Sequence, residues 1–380
     1  MAWFAEIMRV LVTGAAGFIG SHIAETMRAA GHQVRGLDSL TPAVHNGRPE
    51  HIDGELVVGD VRDPAVVNQA LAGMDAVCHQ AALVGLGVDL SDLPAYADVN
   101  VTGTAVLLEA MGRHDIPRLV FASSMVVYGE GAYDCVTHGR IRPAPRHPDD
   151  LAAGVFEPRC PACAEPLTTT TVAEDAPLDP RNAYAASKVG QEHFAASWAR
   201  LTGGAAVGLR YHNVYGPRMP RDTPYSGVAA IFRSCLENGV APRVFEDGGQ
   251  RRDFVHVRDV AQANLLALEA VGAAVAGDGR GPGAGGLGAA AGGLRCYNVA
   301  SGEPHTVGEM AVALAAAFGS IEPAVTGEFR LGDVRHIVAS PAAAARDLGF
   351  RARTPFAAGM AEFARAPLRE PATLTDAGRG

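Results

Sequence analysis

The sequence feature that most constrains the fold is a glycine-rich turn close to the N-terminus. An apolar segment, MRVLVTG, ends at Gly14 and leads through AAGFIG into a helical pattern that extends to Ala30. Glycines at 14, 17 and 20 allow a tight turn, close approach of the backbone to a ligand, and close packing of the helix. The next apolar segment, QVRGLD, ends in an acid, Asp38. This order of strand, glycine turn, helix and strand predicts a βαβ unit whose helix N-terminus binds a dinucleotide.

Apolar strand patterns alternate with helical patterns over most of the remaining chain. Strands are predicted at ELVVGD, AVCHQA, RLVFASS, AAVGLR and CYNVAS, and helices at 64–71, 103–114 and 183–201. Such alternation is typical of a parallel sheet that is covered by helices on both faces. The sequence therefore predicts an α/β fold: a doubly wound parallel sheet of the Rossmann type, with a smaller C-terminal substrate domain and a cysteine-bearing insertion.

The same elements predict the domain boundaries. We expect residues 1–212 to form the dinucleotide-binding Rossmann domain, with residues 252–301 returning to it. Residues 213–251 and 302–365 are expected to form the smaller, substrate-binding domain, and residues 366–380 a frayed tail.

Composition and charge argue against several classes of partner. The 380-residue chain has a formal net charge of -9, and its basic residues are scattered, so neither nucleic acid nor an anionic membrane is the expected partner. No apolar stretch of about 18 residues or more occurs, so a membrane span is not expected. The N-terminal segment lacks a basic region and a small-residue cleavage site, so we expect a cytoplasmic protein with reduced or metal-bound cysteines.

Asp38 indicates which dinucleotide binds. A carboxylate at the end of the second strand accepts hydrogen bonds from the hydroxyls of the adenosine ribose, and its charge repels a 2′-phosphate. The sequence therefore favours NAD over NADP. The alternative is a glycine turn that binds no ligand.

Tyr184 and Lys188 form the candidate catalytic pair. They are four residues apart on a predicted helix and therefore lie on one face. Lys188 is also the only lysine among the 32 basic residues, which indicates that this position needs an ammonium group rather than a guanidinium. A phenol with a pKa of about 10 becomes a usable base when neighbouring positive charges favour the phenolate. An exposed tyrosine–lysine pair without a catalytic role is the alternative interpretation.

Several further motifs appear in a characteristic order. They are GDVRD (59–63), HQAA (79–82), VNVTGT (99–104), ASSMVVYG (122–129), YAASK (184–188), RYHNVYGPR (210–218), RRDFVHVRDV (251–260) and YNVASGEP (297–304). With these motifs the chain resembles the extended short-chain dehydrogenase/reductase family of NAD-dependent nucleotide-sugar epimerases and dehydratases. The resemblance implies NAD as cofactor, a nucleoside-diphosphate sugar as substrate, and a homodimer formed by the helices at 103–114 and 183–201.

The resemblance also implies roles for individual residues. The expected catalytic residues are Tyr184, Lys188 and Ser124, where Ser124 hydrogen-bonds the reacting hydroxyl. The expected cofactor-binding residues are Gly14, Gly17, Phe18, Ile19, Gly20, Asp38, Asp60, Val61, Gln80, Ala81, Ala82, Asn100, Ser123, Tyr184, Lys188 and Tyr211. The expected substrate-binding residues are Ser124, Met125, Asn213, Arg218, Arg252 and Asp333. Arg252 is the natural phosphate clamp, whereas an interface role is equally open for Arg218.

The residues after Ser124 narrow the choice of reaction. In the dehydratases that the chain resembles, an Asp–Glu pair follows this serine, whereas Met125 and Val126 occupy these positions here. Elimination of water needs a group that protonates the leaving hydroxyl, which neither side chain provides. We therefore expect NAD-dependent 4-epimerisation through a transient 4-keto sugar. The alternatives are a nucleotide-sugar 4-reductase or dehydrogenase, a dehydratase of the same family, and a non-catalytic NAD-binding sensor.

The inserted segment, residues 131–171, is rich in Pro, Arg and Cys and carries a candidate metal site. Its Cys-x2-His and Cys-x2-Cys pairs have the spacing of a tetrahedral structural zinc site. His147 could replace the predicted histidine ligand, and ordinary reduced cysteines are the alternative. The insertion also resembles those of epimerases that act on dTDP-6-deoxyhexoses, which makes such a sugar the expected substrate. The predicted zinc ligands are Cys135, His138, Cys160 and Cys163.

Overall fold

The computed structural model describes residues 6–42, 44–45, 47–49, 52–85, 89–221, 227–275, 293–319 and 321–369. The strands in these residues are β1 (Arg9–Thr13), β2 (Gln33–Asp38), β3 (Glu55–Val58), β4 (Ala76–His79), β5 (Arg118–Ser124), β6 (Ala132–Cys135), β7 (Gly139–Ile141), β8 (Thr168–Thr170), β9 (Ala205–Tyr211), β10 (Asn213–Tyr215), β11 (Arg243–Val244), β12 (Arg251–His256), β13 (Gly293–Val299), β14 (Pro304–Thr306) and β15 (Ala324–Val325). The helices are α1 (Phe18–Ala29), α2 (Pro64–Leu71), α3 (Leu93–Tyr96), α4 (Gly103–Arg113), α5 (Pro148–Ala152), α6 (Ala183–Thr202), α7 (Val228–Glu237), α8 (Val257–Val275), α9 (Val307–Ala316), α10 (Ala342–Asp347) and α11 (Phe356–Arg365).

A seven-stranded sheet forms the centre of the larger domain, in the order β13-β9-β5-β4-β1-β2-β3. Its neighbouring strands pair in parallel, and Val12 of β1 lies opposite Gly36 of β2 and Cys78 of β4. The predicted doubly wound parallel sheet is therefore confirmed. The strand order reverses at β1, and α/β folds of this kind bind their ligands at the carboxyl ends of the strands near such a reversal.

Apolar cores cover both faces of this sheet. On one face α1 and α8 bury Ile23 and Leu268 against the strands. On the other face α2, α4 and α6 bury Val67, Leu107 and Trp198. Because both faces are covered, the central strands consist of nearly continuous apolar residues.

The smaller domain contains the three-stranded sheet β10-β12-β14, the pair β11-β15, and an apolar core shared by α7, α9 and α11. The strand β12 pairs in parallel with β10 and antiparallel with β14, and it is not part of the large sheet. The chain therefore returns to the larger domain at Val257, the first residue of α8, and not at residue 252 as expected. The apolar pattern of β12 does not reveal this boundary, because the same pattern is expected for a strand in either sheet.

The inserted segment forms the antiparallel sheet β7-β6-β8 together with the short helix α5. Its buried apolar cluster is small and consists of Tyr133, Cys135, Cys160 and Leu167.

The start of the expected tail packs against the smaller domain. The amide of Arg218 donates to the carbonyl oxygen of Pro367 (2.9 Å), and the amide of Arg369 donates to that of Met219 (3.0 Å). Leu368 is buried. The boundary at residue 366 is therefore wrong, because residues 366–369 form backbone hydrogen bonds with a distant segment; residues 370–380 lie outside the described residues.

In the part of the chain that the structure describes, no helix is both long enough and apolar enough to cross a membrane.

Candidate active site

The glycine turn forms a cradle at the carboxyl end of β1. Gly14 has a φ of +67°, and a Cβ there would lie 2.8 Å from a backbone nitrogen that follows β4. A Cβ on Gly20 would lie 2.1 Å from the carbonyl oxygen of Gly14. The helix α1 begins directly after Gly17, which has no side chain to cap the first amides. Among the described residues no side chain caps the amides of Phe18 and Ile19, and the cradle fits the pyrophosphate of a dinucleotide.

Asp38 lies beside this turn at the end of β2. Its Oδ2 accepts a hydrogen bond from the amide of Ala16 (2.9 Å), and its Oδ1 accepts one from the amide of Leu40 (2.9 Å). These bonds hold the carboxylate next to the cradle. The position fits the predicted contact with the adenosine ribose.

Two basic side chains near Asp38 were not found from the sequence. The Nε2 of His45 lies 3.7 Å from Oδ1 of Asp38. The Nη1 of Arg369 lies 3.5 Å from the carbonyl oxygen of Ala16, and its buried Nε has no hydrogen-bond partner among the described residues. Burial lowers the pKa of Arg369, and the charge of Asp38 opposes this shift. No local pattern connects Arg369 with the turn, because the two lie at opposite ends of the chain.

Other predicted cofactor residues lie at neighbouring strand ends. Asp60 follows β3, and its carboxylate accepts a hydrogen bond from Arg62 (2.6 Å). Val61 is buried and lies against Gly103, so that a Cβ at position 103 would clash with the Val61 side chain. Residues 81–82 follow β4, which neighbours β1 on the side away from β2 and β3.

Asn100 is fully buried in a π-helical segment, Ala97–Thr102. Its Oδ1 accepts a hydrogen bond from the amide of Leu83 (2.7 Å), and its Nδ2 donates to Oγ of Ser187 on α6 (2.8 Å). Asn100 therefore connects the loop after β4 with the helix that carries Tyr184. Single π-helical turns of this kind are frequent at functional sites.

His79 and Gln80 make hydrogen bonds within the protein interior. The Nδ1 of His79 bonds to Oγ1 of Thr13 (2.7 Å), and burial lowers the pKa of His79 to about 3, so the ring is neutral. The Oε1 of Gln80 accepts a hydrogen bond from the hydroxyl of Tyr211 (2.9 Å), which in turn accepts one from Nδ2 of Asn264 (2.8 Å). The structure thus places the polar groups of Gln80 and Tyr211 in a network of their own.

The three predicted catalytic residues come from β5 and α6. Ser124 is the last residue of β5. The helix α6 is capped by Asn182, whose Oδ1 accepts a hydrogen bond from the amide of Ala185 (2.8 Å), so Tyr184 lies in the first turn and Lys188 one turn later. The Ser124 hydroxyl hydrogen-bonds the Tyr184 phenol. The Nζ of Lys188 lies 5.8 Å from the centroid of the Tyr184 ring.

Burial controls the charges of the tyrosine–lysine pair. Lys188 is only 2% exposed, and its Nζ donates a hydrogen bond to the carbonyl oxygen of Ala122 (3.0 Å). Burial lowers the pKa of Lys188 to about 7, and Glu192 opposes this shift. Burial also raises the pKa of Tyr184 to about 12, and the hydrogen bond with Ser124 opposes this shift. With the protein's own groups the phenol is therefore protonated at neutral pH, and it needs a further positive charge, such as a nicotinamide ring, to become a base.

Ser123 is not part of the cradle. Its hydroxyl donates to Oε1 of Glu192 (2.5 Å), and Glu192 forms a buried ion pair with Arg210 (2.8 Å). The structure therefore places the Ser123 hydroxyl in an interior network rather than with the predicted cofactor-binding groups.

Arg252 has the surroundings of an anion-binding residue. Its Nη1 donates to the carbonyl oxygen of Arg335 (2.9 Å) and its Nη2 to that of Val334 (2.7 Å), and among the described residues it forms no ion pair. Burial lowers the pKa of Arg252, and the more distant carboxylates of Glu130 and Asp333 oppose this shift. A guanidinium that is held by carbonyls and not neutralised by a carboxylate fits a diphosphate.

Asn213 and Asp333 complete the predicted substrate set. Asn213 begins β10, and its Oδ1 is buried without a hydrogen-bond partner in the described residues. Buried acceptors of this kind normally have a donor, so a bound ligand fits this position. Burial raises the pKa of Asp333, and the charges of Arg330, Arg252 and Arg146 oppose this shift.

Arg218 is engaged elsewhere. Its two Nη atoms donate to the carboxylate of Glu25 on α1 (2.7 Å each), and one of them also contacts Nδ1 of His22 (2.8 Å). The guanidinium thus connects the smaller domain to α1, which accounts for it without a substrate contact.

The predicted metal ligands come together in the inserted segment. The four candidate ligand atoms of Cys135, His138, Cys160 and Cys163 all lie within 4.8 Å of one another. The Nδ1 of His138 lies 3.5 Å from Sγ of both Cys135 and Cys160, and the Sγ atoms of Cys135 and Cys163 are 3.6 Å apart. His147, the alternative ligand, accepts a hydrogen bond from a backbone amide of α5 instead (3.3 Å).

The fold and the site define a class of protein. A dinucleotide cradle after β1, an acid at the end of β2, and a Ser–Tyr–Lys set across β5 and α6 are the features of a short-chain dehydrogenase/reductase. The sequence model of the NAD dependent epimerase/dehydratase family matches residues 10–149 and 158–278, and the gap between these ranges lies in the inserted segment. The chain belongs to this family, as the resemblance predicted.

Individual proteins are similar over nearly the whole chain. The dTDP-L-rhamnose 4-epimerase of Burkholderia thailandensis is 33% identical over 93% of this chain and 93% of its own. The UDP-glucose 4-epimerase of Mycolicibacterium smegmatis is 30% identical over 93% of this chain and 97% of its own. Among solved structures, the Thermus thermophilus UDP-glucose 4-epimerase complex with NAD is 31% identical, with a TM-score of 0.71, and covers 94% of this chain and 98% of its own.

Proposed function

We propose that the protein catalyses the NAD-dependent 4-epimerisation of a nucleoside-diphosphate hexose. The observation that carries this proposal is the Ser124–Tyr184–Lys188 set. The two residues directly after Ser124 are apolar, whereas an elimination reaction would need an acid there. The 4-epimerases among the similar proteins support the same reaction.

The chain's own residues would handle the proton of the sugar 4-hydroxyl. Bound NAD would supply the acceptor, and then the donor, of the hydride at C4. Tyr184 removes the hydroxyl proton as general base and later returns it as general acid. Ser124 hydrogen-bonds the same hydroxyl, and the Lys188 charge favours the phenolate. The resulting 4-keto sugar rotates within the site and is then reduced on its other face. The cofactor is therefore regenerated in each cycle and retained.

A dehydratase reaction is not supported by the residues at the site. Met125 and Val126 directly follow Ser124 and are partly buried apolar side chains. Neither can protonate a leaving hydroxyl or remove a proton from carbon. This argument matters because dehydratases such as DesIV of Streptomyces venezuelae share the fold, with 26% identity and a TM-score of 0.71.

For the substrate, a dTDP-6-deoxyhexose is the best candidate. The similar protein from Burkholderia thailandensis is a dTDP-L-rhamnose 4-epimerase. An apolar methionine next to Ser124 also suits a methyl group better than a hydroxymethyl group on the sugar. Arg252, Asn213 and Asp333 would hold the nucleoside diphosphate.

The proposal is tested by incubating the purified protein with dTDP-L-rhamnose, UDP-glucose and UDP-N-acetylglucosamine, without added cofactor. We expect the 4-epimer of dTDP-L-rhamnose, no net reduction of NAD, and much slower formation of product with the Tyr184→Phe variant. Stoichiometric formation of NADH together with an oxidised sugar would instead identify a dehydrogenase, and binding of NAD without turnover of any sugar would identify a sensor.

We further propose that the insertion binds one structural zinc ion. A tetrahedral site with Zn–S of about 2.3 Å and Zn–N of about 2.0–2.1 Å places its ligand atoms about 3.6–3.8 Å apart, close to the spacing of the four-residue cluster. Metal analysis should find one zinc per chain, and Cys160→Ser/Cys163→Ser should lose it. A fully folded protein without metal would contradict this proposal.

We also propose that the protein forms a homodimer and is located in the cytoplasm. Phe194 and Leu201 are seven residues apart on α6 and are exposed, which provides an apolar strip for a second copy. Sedimentation of the purified protein would distinguish a dimer from a monomer.

A further inference from the structure

The inserted segment contacts the smaller domain next to the predicted phosphate clamp. The carbonyl oxygens that hold Arg252 belong to Val334 and Arg335. The chain segment that contains them, residues 333–336, lies between Arg252 and the insertion, so whatever fixes this segment also fixes the guanidinium.

On one side, β6 of the insertion contacts this segment. The hydroxyl of Tyr133 accepts a hydrogen bond from the amide of His336 (3.1 Å) and donates one to Glu130 (3.2 Å). Both carboxylate oxygens of Glu130 accept from the amide of Arg335 (3.1 Å each). Tyr133 is fully buried and lies two residues before Cys135.

On the other side, the segment that leads to Cys160 and Cys163 contacts the same residues. Glu157 accepts hydrogen bonds from the side chains of Arg335 (2.6 Å) and His336 (2.9 Å), three residues before Cys160. Arg335 is 2% exposed and is also paired with Glu246 and Asp247 of the smaller domain.

The two contact points are joined through the part of the insertion that contains the metal cluster: β6 pairs with β8, and the amide of Leu167, directly before β8, donates to the carbonyl oxygen of Pro158 (2.9 Å). Cys135 follows Tyr133 on β6, and Cys160 follows Glu157, so a metal bound by both closes the insertion around residues 333–336. The apolar cluster of the insertion has four buried side chains with Ile141 and Cys163 packed against them, which is a small core for such a segment. Without the metal, the pairing of β6 with β8 would remain, and Tyr133 and Glu157 would be held less firmly relative to each other.

We infer that the metal cluster of the insertion sets the affinity for the nucleoside diphosphate by positioning Arg252, without taking part in the chemistry. This inference rests on the proposed zinc ion and on the proposed phosphate role of Arg252. The glycine cradle lies at the carboxyl end of β1 and makes no use of the insertion, so the binding of NAD is expected to be independent of the metal.

The test measures binding of dTDP and UDP by calorimetry, so it does not depend on turnover. Cys160→Ser/Cys163→Ser should lose the metal and bind dTDP about 10-fold or more weakly, the loss expected for one charge-assisted hydrogen bond. Its NAD content should equal that of the wild type. His147→Ala is the matched control: it removes the other histidine of the insertion and should keep the metal and the affinity.

A second pair of variants keeps the inference testable if the cysteine variant unfolds. Tyr133→Phe and Glu157→Gln leave the four ligands in place and should retain the metal while weakening dTDP binding. If the protein turns over a nucleotide sugar, KM should rise in both variants and kcat should stay within about threefold, a split that general loss of folded protein does not produce. In a double-mutant cycle, Tyr133→Phe should add little in the metal-free protein, because both changes release the same segment.

The outcomes separate the inference from the proposals beneath it. Loss of the metal with unchanged dTDP affinity would overturn the inference and leave the zinc proposal standing. A protein without metal would overturn both. Failure to epimerise any sugar, with dTDP binding still dependent on the metal, would remove the proposed reaction and keep the inference.

Discussion

Replacing Arg252 with lysine should raise KM for the nucleotide sugar by about 10- to 100-fold and leave kcat nearly unchanged. The magnitude follows from the surroundings of the guanidinium. Its Nη atoms are held by the carbonyl oxygens of Val334 and Arg335, and no carboxylate neutralises it among the described residues. An ammonium keeps the charge but cannot bond these carbonyls and a diphosphate in the same geometry. Loss of one hydrogen bond to a charged group costs about 1.5–3 kcal/mol, which corresponds to this range of KM.

The assay compares steady-state kinetics of wild type, Arg252→Lys, Arg252→Ala and Arg251→Ala, with NAD content measured on each protein. Arg251 is the matched control because its side chain is exposed and its carbonyl, which Arg252 contacts, survives the substitution. Competitive inhibition by dTDP should weaken in parallel with KM. An unchanged KM in Arg252→Lys and Arg252→Ala, or loss of NAD from either, would refute the assignment of Arg252 to the diphosphate.

Further predictions concern the cofactor and the proposed base. Asp38→Ala should weaken NAD binding more than NADP binding, because the carboxylate accepts from the ribose and repels a 2′-phosphate; equally tight binding of both by the unmodified protein would contradict the ribose assignment. Arg369→Ala should release NAD faster, as measured by exchange with labelled NAD, since its unpartnered Nε lies beside the cradle; the exposed Arg365 provides a control variant. Tyr184→Phe should lower kcat by about 10²- to 10⁴-fold. In the wild type, kcat/KM should rise with pH as the phenol loses its proton, and Lys188→Arg should lose most activity over the whole pH range; a pH–rate profile without a rise, or an active Lys188→Arg, would contradict the role of this pair.

The parts of the fold that could be predicted are those encoded locally. The alternation of apolar strands and helices predicts the large sheet, because each strand of a doubly wound sheet is buried on both faces. The glycine turn, Asp38 and the Tyr184–Lys188 spacing each lie within one βαβ unit or one helix. The two pairs of predicted zinc ligands, Cys135 with His138 and Cys160 with Cys163, are equally local, since each pair lies within four residues.

The parts that the sequence did not reveal depend on contacts between distant segments. The strand β12 belongs to the smaller sheet because it pairs with β10 and β14. The apolar residues of β12 do not indicate which sheet the strand joins. The sequence predicts a tail from residue 366, yet residues 367–369 form backbone hydrogen bonds with the segment after Gly216. The placement of Arg369 beside Asp38 follows from that pairing.

Burial also changes the chemistry in a way that the sequence does not show. The Tyr184–Lys188 spacing suggests a phenol whose pKa is lowered by an ammonium. In the structure, burial is the larger effect, since it raises the pKa of Tyr184 to about 12 and lowers that of Lys188 to about 7. In the proposed mechanism, Tyr184 would therefore depend on the positive charge of the bound cofactor to act as a base.

The measurement that tests the central claim most directly is the fate of deuterium at C4 of the substrate. If Tyr184 moves only the hydroxyl proton and the hydride passes to bound NAD and back, dTDP-L-rhamnose deuterated at C4 should keep its label through inversion. In heavy water, C3 and C5 should take up no deuterium, because Met125 and Val126 provide no base for carbon acidity. Loss of the C4 label to solvent, or uptake of solvent deuterium at C3 or C5, would contradict this account.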